Sequence, residues 1–77
     1  MIYAYILIQT DVGKSVNVSG AITDIAGVTR VNAVTGPYDV IAEVEAHTVD
    51  ELGRIVLSKI QQVPNITRTV TCPIIHL

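Results

Sequence analysis

The sequence predicts an α+β fold, with helices laid on one antiparallel sheet, from three observations. The chain is written twice, each copy opens on a run that alternates like a strand, and each copy continues into apolar residues at helical spacing. Slid against itself by 38 residues, the chain places Ala4 on Ala42, Thr10 on Thr48, Val18 on Val56, Ile22 on Ile60, Thr29 on Thr67 and Arg30 on Arg68 without a gap. Unlike residues match in kind: Ile2 with Val40, Ile6 with Val44, Ile25 with Val63, Val28 with Ile66. Apolar stations that persist while the surface varies mark a duplicated supersecondary unit. The copies join at Thr35-Gly36-Pro37-Tyr38-Asp39.

The elements follow in order. From Ile2 to Gln9 one strand face carries Ile2, Ala4, Ile6 and Ile8 and the other Tyr3, Tyr5, Leu7 and Gln9. Both faces are largely apolar, so both are expected to lie against something. The first helix, about Val12 to Ile25, contains the weak formers Val16, Asn17, Val18, Ser19 and Gly20, so packing of Val18, Ala21, Ile22 and Ile25 must sustain it. Val28 to Thr35 is rich in β-branched residues and reads as a strand, closed by a tight turn at Gly36-Pro37. The next strand sets Val40, Ala42, Val44 and Ala46 on one face, with Ile41, Glu43 and Glu45 on the other. Thr48-Val49-Asp50-Glu51 has capping-box spacing; Leu52, Ile55, Val56, Ile60 and Val63 continue the helix until Pro64 stops it. Ile66 to Ile75 completes the set as a strand. Handedness and connection rules fold β-α-β-β-α-β into a four-stranded antiparallel sheet with two helices on one face, the ferredoxin-like arrangement.

At 77 residues the chain is expected to be one domain, residues 1–77, near the lower limit for a free-standing core. Yet 49% of it is hydrophobic and only 16% charged, more apolar side chain than so small a domain hides. The surplus points to a second, intermolecular core. Tyr3, Tyr5, Leu7 and Ile41 project together from the sheet face that no helix covers, and a contiguous patch of that kind marks an interface. Scattered large apolar residues are also tolerated on a sheet surface. The composition favours the interface, in face-to-face or edge-to-edge dimers. The run from Ile2 to Ile8 is far short of the ~20 residues that span a bilayer, and it has neither a basic lead-in nor a cleavage site. A soluble, cytoplasmic protein without membrane contact is expected. Net charge is −2, and Lys14, Arg30, Arg54, Lys59 and Arg68 are dispersed, so direct nucleic-acid binding is not expected.

Catalysis needs a constellation, and few parts for one are present. Cys72, His47 and His76 lack metal-ligand spacing, so no metal or cofactor is expected; they read as a buried apolar thiol and two solvated imidazoles. Cys72 with His76 is no recognised nucleophile-base arrangement. Glu43 and Glu45 point the same way, roughly 6.6 to 6.8 Å apart along a strand, which suits either two converging carboxylates or, more simply, a solvated or intersubunit charge pair. The turn is different. Gly36 permits close backbone approach, Pro37 stiffens the loop, nearby amides suit a carboxylate, Asp39 accepts from an ammonium group and Tyr38 offers a hydroxyl and a ring. Equally, Gly-Pro is good turn chemistry and Asp can cap it.

The run Val34-Thr35-Gly36-Pro37-Tyr38-Asp39-Val40-Ile41, the acidic-capped helix and Val63-Pro64-Asn65-Ile66-Thr67-Arg68-Thr69 together resemble the RAM domain of the Lrp/AsnC feast/famine transcription regulators. The resemblance covers essentially the whole chain. It implies a non-catalytic module that dimerises through its sheet, assembles into a ring of dimers such as an octamer or decamer, and binds amino acids between dimers beside a G-x-Y-D loop. Gly36, Tyr38 and Asp39 match that motif, and Pro37 occupies its variable position. Full-length family members carry an N-terminal helix-turn-helix, whereas this chain starts at its first strand. The expectation is a stand-alone module that meets DNA only through a full-length regulator. Two rival readings share the fold: an ACT domain, through Thr10-Asp11-Val12-Gly13, and a small dimeric isomerase or monooxygenase using His76 or Glu43.

Overall fold

The computed structural model describes residues 1–75. The elements run β1 (Ile2–Thr10), α1 (Ser15–Thr23), β2 (Val28–Ala33), β3 (Val40–Ala46), α2 (Val49–Arg54) and β4 (Ile66–Pro73). A π-helical turn, Ile55–Lys59, and a 3₁₀ turn, Ile60–Gln62, prolong α2. The sheet is antiparallel with strand order β2-β3-β1-β4, the ferredoxin-like topology. No helix among the described residues is long and apolar enough to cross a membrane.

Alternation in the two central strands sets the core. Ala4, Ile6 and Ile8 of β1 and Val40, Ala42, Val44 and Ala46 of β3 are buried against Val18 and Ile22 of α1 and Leu52, Ile55, Val56 and Ile60 of the second helical segment. Ile2, Ile25, Val28, Val31, Val63 and Ile66 pack around that cluster. Ala21 does not join it and is exposed: it lies within α1 but about 100° round the helix from Ile22, to one side of the Val18–Ile22 stripe that is buried. The weak formers show themselves in α1: Ser19 and Thr23 turn their hydroxyls back onto the carbonyls of Ser15 and Ser19, both at 2.8 Å. Residues 12–14, expected as helix, form a turn closed by Lys14 N–H on the Asp11 carbonyl. The cap of α2 is half as expected. Thr48 Oγ1 accepts from Glu51 N–H at 3.1 Å, but the Glu51 carboxylate reaches past Thr48 to the amide and ring of the exposed His47.

The repeat becomes a local twofold. Tyr5 and Glu43 are repeat equivalents and also direct partners in the β1–β3 ladder, so the axis passes between them. The symmetry fails at the sheet's margins. Leu7 pairs with Val70, whose repeat equivalent would be Glu45 with Asn32; Asn32 instead pairs with Ile41, four residues away. A hairpin draws β2 along β3, while β4 reaches β1 by a crossover and obeys no such tether. The copies also agree where glycine did not match in the alignment. Gly27 and its equivalent Asn65 both stand at positive φ, +97° and +73°, turning the chain from helix to strand. A Cβ on Gly27 would lie 2.7 Å from Ile55 Cδ1 and 3.2 Å from the Glu45 carbonyl oxygen. Gly27→Ala is therefore expected to cost roughly 1–3 kcal/mol in urea unfolding, with both strained backbone and displaced Ile55 contributing.

Candidate functional site

The connection from β2 to β3 is the least regular part of the sheet. β2 ends at Ala33 rather than Thr35, so the expected tight turn at Gly36-Pro37 is part of a longer connection of six residues, 34–39. Val34 N–H donates to the Asp39 carbonyl at 2.9 Å and closes this loop, while Asp39 N–H donates to the Ile8 carbonyl at 2.9 Å and ties it to β1. Gly36 sits at φ +141°, a conformation that an L side chain rarely adopts, and no atom lies within 4 Å of where its Cβ would be. Here glycine answers the backbone and not a close neighbour.

Sequence reasoning offered the Asp39 carboxylate to a ligand. The structure engages one of its oxygens at home. Thr10 donates its backbone N–H to Oδ2 at 2.8 Å and its hydroxyl to the same oxygen at 3.3 Å. Both bonds end on Oδ2, and Oδ1 takes no hydrogen bond among the described residues. Gln9 Nε2 donates to the Pro37 carbonyl at 3.0 Å. The loop is thereby clasped to the last two residues of β1, which the sequence reading had not placed at the site. Thr10 was visible as a repeat match to Thr48 and as the start of the rival Thr10-Asp11-Val12-Gly13 turn, and Gln9 only as the end of an alternating row. Gly36 and Pro37 are exposed, and Tyr38 and Asp39 half-buried. The amides of Thr35, Gly36 and Tyr38 have no partner among the described residues.

The second predicted surface is assembled as expected in geometry. Tyr3, Tyr5 and Leu7 share the open sheet face with Ile41, which pairs with Leu7. Tyr3 and Tyr5 are each 39% exposed, and Leu7 and Ile41 are half-buried. Val70 and Cys72 adjoin them from β4, opposite Leu7 and Tyr5. Cys72 is thus a half-buried thiol on the open face rather than a core residue, since it falls in register with Tyr5. Glu43 is drawn into an ion pair with Arg30 at 3.2 Å across the β2–β3 ladder, which makes it a cross-strand charge and not one half of a carboxylate pair with Glu45. His76 lies outside the described residues.

Two grooves flank the α2 segment, and neither is lined by the loop. One, of about 450 Å³, lies on the outside of α2 by Asp50, Arg54 and Ser58; the other, of about 390 Å³, runs between the α2 segment and β4, past Leu52, Val56, Gln61 and Thr71. Both are wide, open grooves. The 34–39 loop stands beside the C-terminal end of β1, to which it is tied.

Comparison with known proteins adds the following. The family model for the Lrp/AsnC ligand binding domain matches residues 3–76. An uncharacterized HTH-type transcriptional regulator of Pyrococcus horikoshii is 35% identical over 71 residues, which are 88% of this chain and 47% of that protein. The chain therefore spans about half the length of that relative. A crystal structure of a Thermus thermophilus protein superposes with a TM-score of 0.94 at 32% identity, covering 100% of this chain and 96% of the other. A transcriptional regulator of Neisseria meningitidis, solved as an L-Met complex, shares the fold alone, with a TM-score of 0.84 at 13% identity over 97% of this chain and 50% of its own.

Proposed function

The chain belongs to the Lrp/AsnC ligand-binding domain family, and from that premise we propose that it acts as a non-catalytic module that binds an amino acid and couples the binding to oligomerisation. The observation that carries this reading is the 34–39 loop: it is braced on β1 at Pro37 and Asp39, while the amides of Thr35, Gly36 and Tyr38 bond to no other described residue. Backbone N–H groups left open in a stiff loop, here on either side of Pro37, offer donors to an anion. An amino acid's carboxylate is received by the amides of Thr35, Gly36 and Tyr38. Its ammonium faces Asp39 Oδ1, and its side chain rests on the Tyr38 ring or on a neighbouring subunit.

The second wall comes from another copy. Tyr3, Tyr5, Leu7 and Ile41 form the dimer face, and dimers gather into a ring whose boundaries carry the loops. A ligand held between subunits favours one assembly over another by its differential affinity, so the module needs no bond made or broken. Transcription is modulated where the module shares an assembly with a DNA-binding member of the family, in keeping with the HTH-type regulator to which it is similar. All 77 residues serve as one such module in the cytoplasm.

The test joins light scattering to a thermal-shift screen of the twenty standard amino acids. An amino acid present at 100 times its Kd stabilises the native state by about 2.7 kcal/mol. For a domain of this size that corresponds to a rise in Tm of roughly 10–20 °C. An oligomer that responds to one or a few amino acids is expected; a stable monomer that none of them stabilises would overturn the reading.

A further inference from the structure

The loop is gripped by two neighbouring residues that point to opposite faces of the sheet. Thr10 holds Asp39, and Gln9 holds the Pro37 carbonyl. Gln9 stands two residues beyond Leu7, so its side chain continues the row of Tyr3, Tyr5 and Leu7 across the open face, beside Arg68 in β4. It is half-buried, and its side-chain amide joins that face to the loop.

The bond controls more than position. The Pro37 carbonyl and the Tyr38 N–H belong to one planar trans peptide, so they point in opposite directions. Drawing the carbonyl toward Gln9 turns the Tyr38 N–H away from the sheet, toward the side where a ligand is received. Pro37 has a fixed φ, which leaves this plane few other ways to turn. In the monomer the bond is exposed and competes with water. Once a second copy covers the open face, water is excluded and the same bond strengthens.

We propose that Gln9 is a positioning residue that transmits assembly on the open face to the effector loop, by fixing the peptide between Pro37 and Tyr38. The inference rests on the reading of the face as an interface and of the loop as the effector site. It is tested on the full chain by hydrogen exchange at Val34 and Asp39, whose amides close the loop, across a dilution series that moves the protein between its assembly states. In the wild type, protection is expected to rise with association. Gln9→Met, equal in length but without a donor, is expected to associate still, if more weakly, and, compared with the wild type at equal associated fraction, to lose the association-dependent protection. Gln9→Lys, which restores a donor, is expected to recover it. Protection that follows association equally in Gln9→Met, or that is indifferent to association in the wild type, would overturn the proposal. A blank amino-acid screen beside intact coupling would instead remove the effector reading and leave Gln9's role standing.

Discussion

Asp39→Ala is expected to abolish any amino-acid-induced rise in Tm and to lower the stability of the unliganded protein by about 1–3 kcal/mol. Both effects have one origin. The half-buried Asp39 carboxylate accepts the Thr10 amide and hydroxyl, so truncation strands a backbone donor at the irregular end of β1, where the register shifts between Gln9 and Thr10. The loop then keeps its attachment through Gln9 and through the Asp39 amide, but its three open N–H groups lose a common orientation. Asp39→Asn separates bracing from ligation. Its carbonyl oxygen can still accept from Thr10, so unliganded stability should be held within about 1 kcal/mol, while the charge offered to an ammonium group is gone. Stability retained with the response lost assigns Oδ1 to the ligand. Stability and response both retained would make Asp39 a brace alone, and an undiminished response in Asp39→Ala would remove the loop from the site. Thermal unfolding with and without the responding amino acid reads all three.

The contrast between the core and this loop shows what a sequence can carry. Core positions were legible because burial depends on neighbours two, three or four residues away, and alternation in β1 and β3 and the stripe from Leu52 to Ile60 are local patterns. The repeat strengthened them, since each station was read twice. The loop's place was legible too, as the join between copies and through the residues Gly36, Tyr38 and Asp39. Its clasp was not. Gln9 and Thr10 lie 28 and 29 residues from their partners, and they meet them only because β1 inserts between β3 and β4. The loop's length was misread for the same reason. Gly36-Pro37 is a strong local turn signal, yet the register that pairs Ala33 with Val40 decides how many residues must bridge the strands. The repeat did flag Thr10, as the equivalent of Thr48. What it could not say is that one threonine would cap a helix and the other hold an aspartate, because that difference arises where the twofold symmetry breaks.

Tyr5→Lys is expected to turn an oligomer into a folded monomer. Tyr5 lies on the local twofold of the sheet, at the middle of the open face, between Glu43 of β3 and Cys72 of β4. Removing the ring forfeits roughly 1.5–3 kcal/mol of apolar burial on each side of a symmetric contact. The two sides together come to roughly 3–6 kcal/mol, or about 10²- to 10⁴-fold in Kd, and juxtaposed ammonium groups add repulsion. The monomer should tolerate the change. Its core lies on the opposite face of β1, in Ala4, Ile6 and Ile8, and a lysine directly across from Glu43 gains a favourable cross-strand charge pair. Light scattering should therefore show the mass of a single chain while urea unfolding retains a cooperative transition. If the variant kept the mass of the parent, the open face would not be the contact surface, and the apolar surplus of the sequence would have to be covered along the β4 edge and the groove beside α2.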